Sequence, residues 1–403
     1  MVDKSLTPQF SSAPHDWKLI PLKRLMRVTS GTEVSVEIPQ SNDAVPVYGS
    51  GVKPFKYTNR SISAKAVVLF GRKGTLGQPF LVDPPFWAVD TAYIATPREN
   101  VELAYLYYLL KTFDWQPFIT NTAKPSLVAN DILPEKVPLP QHQGQVAILR
   151  YLDAKTAEID GLIEKLRREV ELLEQYRREL IARTVTRGLD PDVPMRDSGI
   201  EWMPQIPSHW AVLQGKRVFT KLQRPVREGS ETITCFRDGT VTLRRNRRSE
   251  GFTESLQEIG YQGVEPGDLV IHEMDAFAGA IGVSDSYGKS TPVYAVCAIQ
   301  NNGDPHFYAY LLRQMAQSDF ILSLAKGIRQ RTVDFRFKTL ASLLVAVPPS
   351  SEQKQIANFL DGRMLEIDST IFGINKQIEL LNRYRKQVIN DAVTGKICVE
   401  KVA

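Results

Sequence analysis

The sequence predicts an α+β chain in which two α/β domains alternate with two long helices. We expect the two helices to pair as an antiparallel coiled coil, which gives the chain pseudo-two-fold symmetry. Three observations predict this arrangement: a stretch of about 45 residues that occurs twice, a heptad pattern in both copies, and a similar order of elements before each copy. With 403 residues the chain is long enough for several domains.

The repeat is clearest where ELLEQYRRELI at 171–181 returns as ELLNRYRKQVI at 379–389, 208 residues later. At the same offset, EID occurs at Glu158–Asp160 and again at Glu366–Asp368. Chance similarity between two helices would not keep register over this length. The repeat predicts helical regions at 142–190 and 349–403, each preceded by a domain, at 1–141 and 191–348.

Both copies carry apolar residues seven apart, with a second set four residues on. This is the heptad pattern of a coiled coil, and no proline interrupts it. Two long surface helices on separate domains are the alternative, but the identical register over several heptads favours pairing. Positions seven apart cover 28 residues in each helix, so the seam would be ~42 Å long and could act as a spacer. The predicted seam residues are Leu152, Ile159, Ile163, Leu166, Val170, Leu173, Leu180, Leu360, Ile367, Ile371, Ile374, Ile378, Leu381 and Val388.

The two domains share an order of elements more than a sequence. Each opens on a tryptophan followed by basic residues, DWKLIPLKRL at 16–25 and SHWAVLQGKRV at 208–218. Strand-like runs, a glycine-rich turn, more strands, a helix, a basic loop and a proline-ended strand follow in both. The pattern predicts one domain frame used twice with different surfaces.

Composition narrows the class of protein. No apolar run approaches the roughly 18–20 residues of a membrane helix, and the first residues lack the apolar core of a signal peptide. Three distant cysteines without CxxC spacing and five scattered histidines predict no disulfide framework and no metal site. We therefore expect a cytoplasmic protein, and its net charge of +5 permits nucleic-acid binding without requiring it.

Several short motifs then stand in the same order as in a known family. They are VPVYGSGVKPF at 45–55, GRKGTLG at 71–77, PGDLVI at 266–271, and the runs VPLP at 137–140 and VAVPP at 345–349 that lead into the helices. Together with the duplication, they make the whole chain resemble the specificity subunit of a type I restriction–modification system. The second domain departs from the pattern because it has no sequence counterpart of VPVYGSG.

The resemblance implies that each domain is a target-recognition domain for one half of a bipartite, asymmetric site in double-stranded DNA. It implies that the coiled coil sets the spacer and docks two methyltransferase subunits and the restriction subunits. S-adenosylmethionine, ATP and magnesium are then expected on those partners, and no cofactor on this chain, which would not be catalytic alone. The seam length agrees with this role, since successive major-groove faces recur at ~34–36 Å.

Basic and polar residues in the predicted loops are the candidates for DNA contact. Arginine can fork onto guanine or phosphate, and asparagine can pair with adenine. A solvated basic turn is the alternative in the second domain, and a simple β-turn with exposed charges is the alternative in the first. The candidates are Lys53, Lys56, Arg60, Arg72, Lys73, Thr75, Lys124 and Ser126 in the first domain, and Arg237, Arg244, Arg245, Asn246, Arg247, Arg248, Arg329 and Arg331 in the second.

A DNA methyltransferase and a structural coiled-coil scaffold are the alternative functions. DPPF at Asp83–Phe86 has the form of an amino-methyltransferase motif, and VVLFGRKGTLG upstream resembles a strand entering a glycine loop. A methyltransferase needs several crossovers of a dozen or more residues around such motifs, and the spacing here leaves no room for one. We expect DPPF to be a proline-stiffened loop instead. No phosphate-binding loop or nuclease set occurs, so no catalytic residue is predicted; a structural coiled-coil scaffold is the third possibility.

Overall fold

A computed structural model describes residues 14, 16–247, 258–324, 335–397 and 399. The chain forms two compact units. The first contains residues up to 167 together with those from 375 onward, and the second contains residues 168–374. Each long helix therefore contributes one half to each unit.

The helices and strands follow in chain order. The helices are α1 Leu103–Thr112, α2 Ala129–Ile132, α3 His142–Arg187, α4 Pro305–Gln317, α5 Phe320–Ser323, α6 Phe337–Ser342 and α7 Ser350–Val393. The strands before α3 are β1 Lys18–Pro21, β2 Met26–Ser30, β3 Val45–Tyr48, β4 Lys56–Thr58, β5 Val67–Gly71, β6 Phe80–Val82, β7 Trp87–Ala88, β8 Ala92–Pro97 and β9 Lys136–Leu139. Those after it are β10 Met195–Ile200, β11 Met203–Pro207, β12 Ala211–Gln214, β13 Phe219–Lys221, β14 Ile233–Cys235, β15 Val241–Leu243, β16 Gln262–Val264, β17 Leu269–His272, β18 Ile281–Val283, β19 Gly288–Ser290, β20 Tyr294–Ile299 and β21 Leu344–Val347.

The first unit is built on an antiparallel sheet of order β2-β8-β5-β6. Strand β5 is buried along its whole length, as its run VVLFG predicts for a central strand. A smaller sheet, β4-β3-β7, contains one parallel pair, and β1 pairs with β9. Helix α1 closes the core through the buried side chains of Tyr105, Leu106 and Leu109.

The second unit repeats this frame. Its main sheet has the order β13-β20-β17-β18, and β12 pairs with β21 as β1 does with β9. Helix α4 takes the place of α1 and begins at Pro305, where the Asp304 carboxylate accepts hydrogen bonds from the backbone N–H groups of His306 and Phe307. The equivalence of the two frames therefore rests on topology rather than on sequence identity.

The second unit has no sequence counterpart of VPVYGSG, but it has the equivalent strands. Strands β14 and β15 form a hairpin as β3 and β4 do. A parallel bridge joins Thr232 to Lys289, as Val47 pairs with Trp87 in the first unit. The backbone frame is thus kept where the side chains have changed.

A buried glutamine joins each domain to the helix that follows it. Gln145 donates to the carbonyl of Asn100 and accepts from the N–H of Glu102, both over 2.9 Å. Its counterpart 208 residues later, Gln353, donates to Pro348 over 2.8 Å and accepts from Asp304 over 2.9 Å. Such buried polar contacts fix the angle at which each helix leaves its domain.

The long helices pair in an antiparallel manner within each unit. In the first, Ile148 and Leu152 share a core with Val388 and Ala392. In the second, Ile181 and Val185 share a core with Ile356, Ala357 and Leu360. All fourteen predicted seam residues are buried or half-buried. The α+β fold with an antiparallel coiled coil is confirmed.

Within the described ranges, no helix is long and apolar enough to cross a bilayer. The same residues contain no group of three or more side chains that could hold a metal ion. Cys235 and Cys297 are buried free thiols, and burial raises the pKa of each to about 12.

Candidate nucleic-acid interface

Two loops of the first unit contact the glycine turn Gly71–Gly77, which begins at the last residue of β5. The backbone N–H of Thr75 donates to Oγ of Ser50, in the loop between β3 and β4, over 3.3 Å. From the other side, the N–H of Leu127 donates to the carbonyl of Arg72 over 2.9 Å. Segments far apart in sequence therefore form one surface.

The first glycine of this turn is required by a close backbone approach. A Cβ atom at Gly71 would lie 1.6 Å from the carbonyl oxygen of Thr75. Any side chain here would push the turn open, so the sequence selects glycine for packing within the turn itself. This contact explains the glycine without reference to a ligand.

Four predicted residues lie together on this surface. Lys73 forms a β-bridge with Ser126, and its Nζ lies 3.0 Å from Oδ2 of Asp90. The Arg72 guanidinium lies over the ring of Tyr93 at 5.5 Å. The structure thus brings together Arg72, Lys73, Thr75 and Ser126.

The other predicted residues of the first unit lie around this cluster or apart from it. Lys124 belongs to the segment that carries Ser126, and Lys53 belongs to the same loop as Ser50. Lys56 is bound by Glu37 at 2.8 Å. Among the described residues, no hydrogen bond or ion pair joins Arg60 to the glycine turn. All of these assignments stay predictions.

The second unit contains a cleft of about 600 Å³ beside the β14–β15 hairpin. Three predicted arginines line it next to acidic and imidazole groups that the sequence analysis did not single out. The charged and imidazole side chains of the lining are Arg237, Asp238, Arg244, Arg247, His272 and Asp275.

Carboxylates clamp two of these arginines. Arg237 Nη2 lies 2.9 Å from Oδ1 of Asp275, and Arg247 Nη1 lies 2.5 Å from Oδ2 of Asp238. The Arg247 guanidinium also lies 4.8 Å from the centre of the Phe236 ring. An ion-paired side chain loses less conformational entropy when it binds than a free one does.

Burial of His272 lowers the pKa of its imidazole. Its Nδ1 accepts a hydrogen bond from the backbone N–H of Asp275 over 3.0 Å, which places the proton of the neutral ring on Nε2. Partial burial alone would raise the pKa of Asp238, but the N–H of Thr240 and the guanidinium of Arg247 hold it below its usual value. The cleft therefore combines a neutral histidine with a charged carboxylate near neutral pH.

Two further predicted residues of the second unit, Arg245 and Asn246, are described and do not line the cleft. Arg245 pairs with Glu231 at 2.7 Å, and Asn246 donates to the hydroxyl of Thr242 over 2.8 Å. Arg248, Arg329 and Arg331, the other three candidates, lie outside the described residues.

Sequence reasoning missed the acidic and imidazole partners of the basic residues. Asp238 lies in the turn RDG at 237–239, and His272 and Asp275 lie in HEMD at 272–275, which begins at the last residue of the buried strand β17. Polar residues at the end of a buried strand are a signal that could have found them. The pairing itself, with Arg237 and Asp275 far apart in the chain, has no local signal.

Each unit also exposes an apolar patch on its helices. In the second unit, Leu172 and Tyr176 are 50% and 47% exposed. Nearby, the Arg363 guanidinium lies 5.9 Å from the ring of Phe359 and 2.6 Å from Glu366. We call this set of five side chains the second helical patch.

The repeat places equivalent residues on the helices of the first unit. Leu380 and Tyr384 are 52% and 50% exposed, and Lys155 lies 2.8 Å from Glu158. The fifth position, Tyr151, is half-buried. Each residue of this first helical patch has an equivalent in the second. Three of the five are identical, and the other two have lysine in place of arginine and tyrosine in place of phenylalanine.

The DPPF segment connects β6 to β7 and contains a cis peptide bond between Pro84 and Pro85. The sheet that carries β6 is antiparallel throughout. A methyltransferase of the kind considered above needs parallel strands joined by crossovers next to this segment. DPPF is therefore a loop, as predicted.

Comparison with known proteins gives consistent results. Residues 14–172 match the family model described as type I restriction modification DNA specificity domain. The type I restriction enzyme MjaVIII specificity subunit of Methanocaldococcus jannaschii is 21% identical, over 96% of this chain and 95% of that protein.

Two solved structures share the fold over nearly the whole chain. The crystal structure of the HsdS subunit from Thermoanaerobacter tengcongensis has a TM-score of 0.56 at 16% identity, covering 98% of this chain and 100% of that one. A structure reported for complex assembly and conformational transition of the type I R-M system has a TM-score of 0.59 at 17% identity, covering 96% and 100%. The sequence matches confirm the resemblance to type I restriction–modification specificity subunits, and the solved structures show that the fold is shared.

Proposed function

We propose that the chain, as a type I restriction–modification specificity subunit, recognises DNA sequence for a complex whose chemistry lies on other subunits. Each unit would contact one half of a bipartite, asymmetric target in double-stranded DNA. The observation that carries this proposal is one backbone frame used twice with unlike charged loops.

The unlike loops support a target with two unlike halves. In the first unit, Arg72 and Lys73 stand on a glycine turn. At the corresponding place after β17, the second unit has Glu273 and Met274, and its arginines come from the β14–β15 hairpin instead. Because major-groove recognition depends on which donors and acceptors are offered, two such surfaces would select different base pairs.

The helices would fix the spacing between the half-sites and bind the partner subunits. The two helical patches carry the same five side-chain types at equivalent positions, apart from two conservative exchanges. Tyrosine and phenylalanine rings, and the arginine of the second helical patch, are residue types enriched at protein interfaces. Two equivalent patches support two methyltransferase subunits, with restriction subunits joining the complex.

The chain would have no catalytic activity alone and would bind no cofactor itself. S-adenosylmethionine, ATP and magnesium would be bound by the methyltransferase and restriction subunits. The reduced, buried Cys235 and Cys297 agree with a cytoplasmic location.

The proposal is tested by binding of the full-length chain to a randomised duplex library, followed by sequencing of the bound fraction. We expect a motif with two specified halves separated by a fixed unspecified gap, and an affinity that falls steeply as salt rises. Binding without any sequence preference would contradict it and would favour a structural scaffold.

Paired variants assign each half of the motif to a unit. Replacing Arg244, Arg245 and Arg247 by glutamine should weaken selection in one half, and replacing Arg72 and Lys73 should weaken it in the other. Each variant is the control for the other, because both remove positive charge. Loss of both halves by either variant would argue against separate half-site readers.

A further inference from the structure

We propose that the Arg247–Asp238 pair in the second unit recognises a G·C base pair in the major groove. The inference rests on the proposed function and specifies the chemistry of one half-site. Its evidence is the arrangement of donors and acceptors in the cleft beside the β14–β15 hairpin.

The Arg247 guanidinium is held at one nitrogen and open along one edge. Nη1 is bound by Asp238 at 2.5 Å, whereas Nε and Nη2 have no hydrogen-bond partner among the described residues. The Nε and Nη2 hydrogens point in parallel, which is the fork that arginine uses for bidentate contacts. Arg237 differs, because its Nη2 already donates to Asp275 over 2.9 Å.

A G·C pair offers the matching set of groups. Guanine presents the acceptors O6 and N7 in the major groove, and the cytosine paired with it presents the N4 amino donor. The open fork of Arg247 can donate to the two guanine acceptors, while the adjacent Asp238 carboxylate can accept from cytosine. An A·T pair places the adenine amino group where the fork requires an acceptor, so it would leave a donor opposite a donor.

A phosphate fits this arrangement less well. The Asp238 carboxylate next to the fork is charged and would repel a phosphate oxygen. Arginines that hold the DNA backbone do better without an adjacent acid, since their net positive charge supplies the affinity. The geometry therefore favours a neutral base edge with acceptors.

The pair is held in place from two sides. The Phe236 ring lies 4.8 Å from the Arg247 guanidinium and restricts its rotation. Behind Asp238, the turn passes through Gly239 at φ 89°, and a Cβ there would lie 2.5 Å from Nη1 of Arg313. This helical arginine thus supports the turn, and only glycine combines that backbone conformation with that contact.

The test measures base preference rather than affinity alone. The full-length wild-type chain and Arg247→Lys are compared in binding to the randomised duplex library. Lysine keeps the charge but loses the fork, so we expect the preference for guanine to fall roughly 5- to 150-fold at one position of one half-site. The half-site of the first unit should stay unchanged, which also shows that the variant is folded.

A chemical probe then isolates the N7 contact. Duplexes carrying 7-deazaguanine at the identified position lack N7 but keep the base pair. The wild-type chain should bind them more weakly, and Arg247→Lys should show no additional loss, since the contact is already absent. Arg227→Lys is the matched control, because Arg227 also pairs with a carboxylate, that of Glu265, and also lies over an aromatic ring, that of Tyr287, but does not line the cleft. It should keep the wild-type preferences.

Three results would overturn the inference, and they show whether the proposed function fails as well. If Arg247→Lys weakens binding to all sequences equally, or if 7-deazaguanine has no effect on a wild-type chain that still selects a bipartite motif, only the G·C assignment fails. If the wild-type chain selects no motif, the proposed function fails with it.

Discussion

The Arg385 guanidinium binds the carboxylate of Asp160, with Nε 2.9 Å from Oδ1 and Nη2 donating to Oδ2 over 3.1 Å. The second unit contains the same contact with the roles of the helices exchanged, because Arg177 donates to Asp368. Arg177 and Arg385 are equivalent in the repeat, and so are Asp160 and Asp368. A helix that pairs with its own copy produces such reciprocal contacts.

This ion pair should specify register more than stability. Arg385 and Asp160 are 28% and 53% exposed, and exposed pairs typically contribute below about 1 kcal/mol. We expect a double-mutant cycle with Arg385→Ala and Asp160→Ala, measured by chemical denaturation, to give a coupling in that range. A coupling of several kcal/mol would mean that the pair is an important source of stability.

The coiled-coil seam should supply that stability. Leu360 is fully buried in the core of the second unit, so Leu360→Ala should lower the free energy of unfolding by about 2–5 kcal/mol. Leu365→Ala on the same helix is the matched control, because Leu365 is 70% exposed and its loss should cost below about 0.5 kcal/mol. Equal losses for the two variants would contradict the assignment of the seam.

The helical patches should govern assembly and not folding. Tyr176→Ala and Tyr384→Ala each remove one exposed ring, so unfolding should change little. Mass photometry of the reconstituted complex should show one methyltransferase subunit lost with either variant and both lost with the double variant. The double variant assembling like the wild-type chain would exclude the patches as docking sites.

The helices should determine the spacing of the target. Four residues inserted at equivalent positions of both helices lengthen each by about 6 Å, close to the rise of two base pairs. We expect the selected motif to gain a longer gap while both half-sites keep their bases. A motif with altered half-sites and an unchanged gap would refute the spacer role.

His272 should make the stability of the second unit depend on pH. Burial holds the pKa of this imidazole below its usual value near 6.5, while the unfolded chain protonates it more readily. Its contribution to stability is therefore complete above about pH 6.5 and declines as the pH falls below that value. Asp275, Glu273 and Arg237 are the charged groups that act on it.

Urea denaturation between pH 7.5 and pH 5 measures this effect. The wild-type chain should lose more stability on acidification than His272→Gln, because carboxylates titrate alike in both. His306→Gln removes an exposed histidine of the same unit and is the control. The prediction is wrong if His272→Gln and the wild-type chain lose stability in parallel.

Local sequence patterns were sufficient to predict the two long helices, because the apolar residues that make them pair repeat at a regular spacing along the chain. Apolar residues at heptad spacing predicted seam positions such as Leu152 and Leu360, and both are fully buried. The strands of each domain could be ordered only in outline. Nothing in the sequence near Val47 indicates its parallel pairing with Trp87, and nothing near Thr232 indicates the equivalent bridge to Lys289. The partners lie about 40 and 57 residues away along the chain.

The sequence by itself determined the duplication, the pairing of the helices and the resemblance to specificity subunits. Each depends on periodicity or on motif order, which are properties of a linear chain. Only the tertiary structure decided which basic residues are clamped and which keep open donors. Asp238 binds Arg247 across the β14–β15 hairpin, and long-range packing brings Asp275 to Arg237, so the chemistry of the cleft exists only in the folded chain.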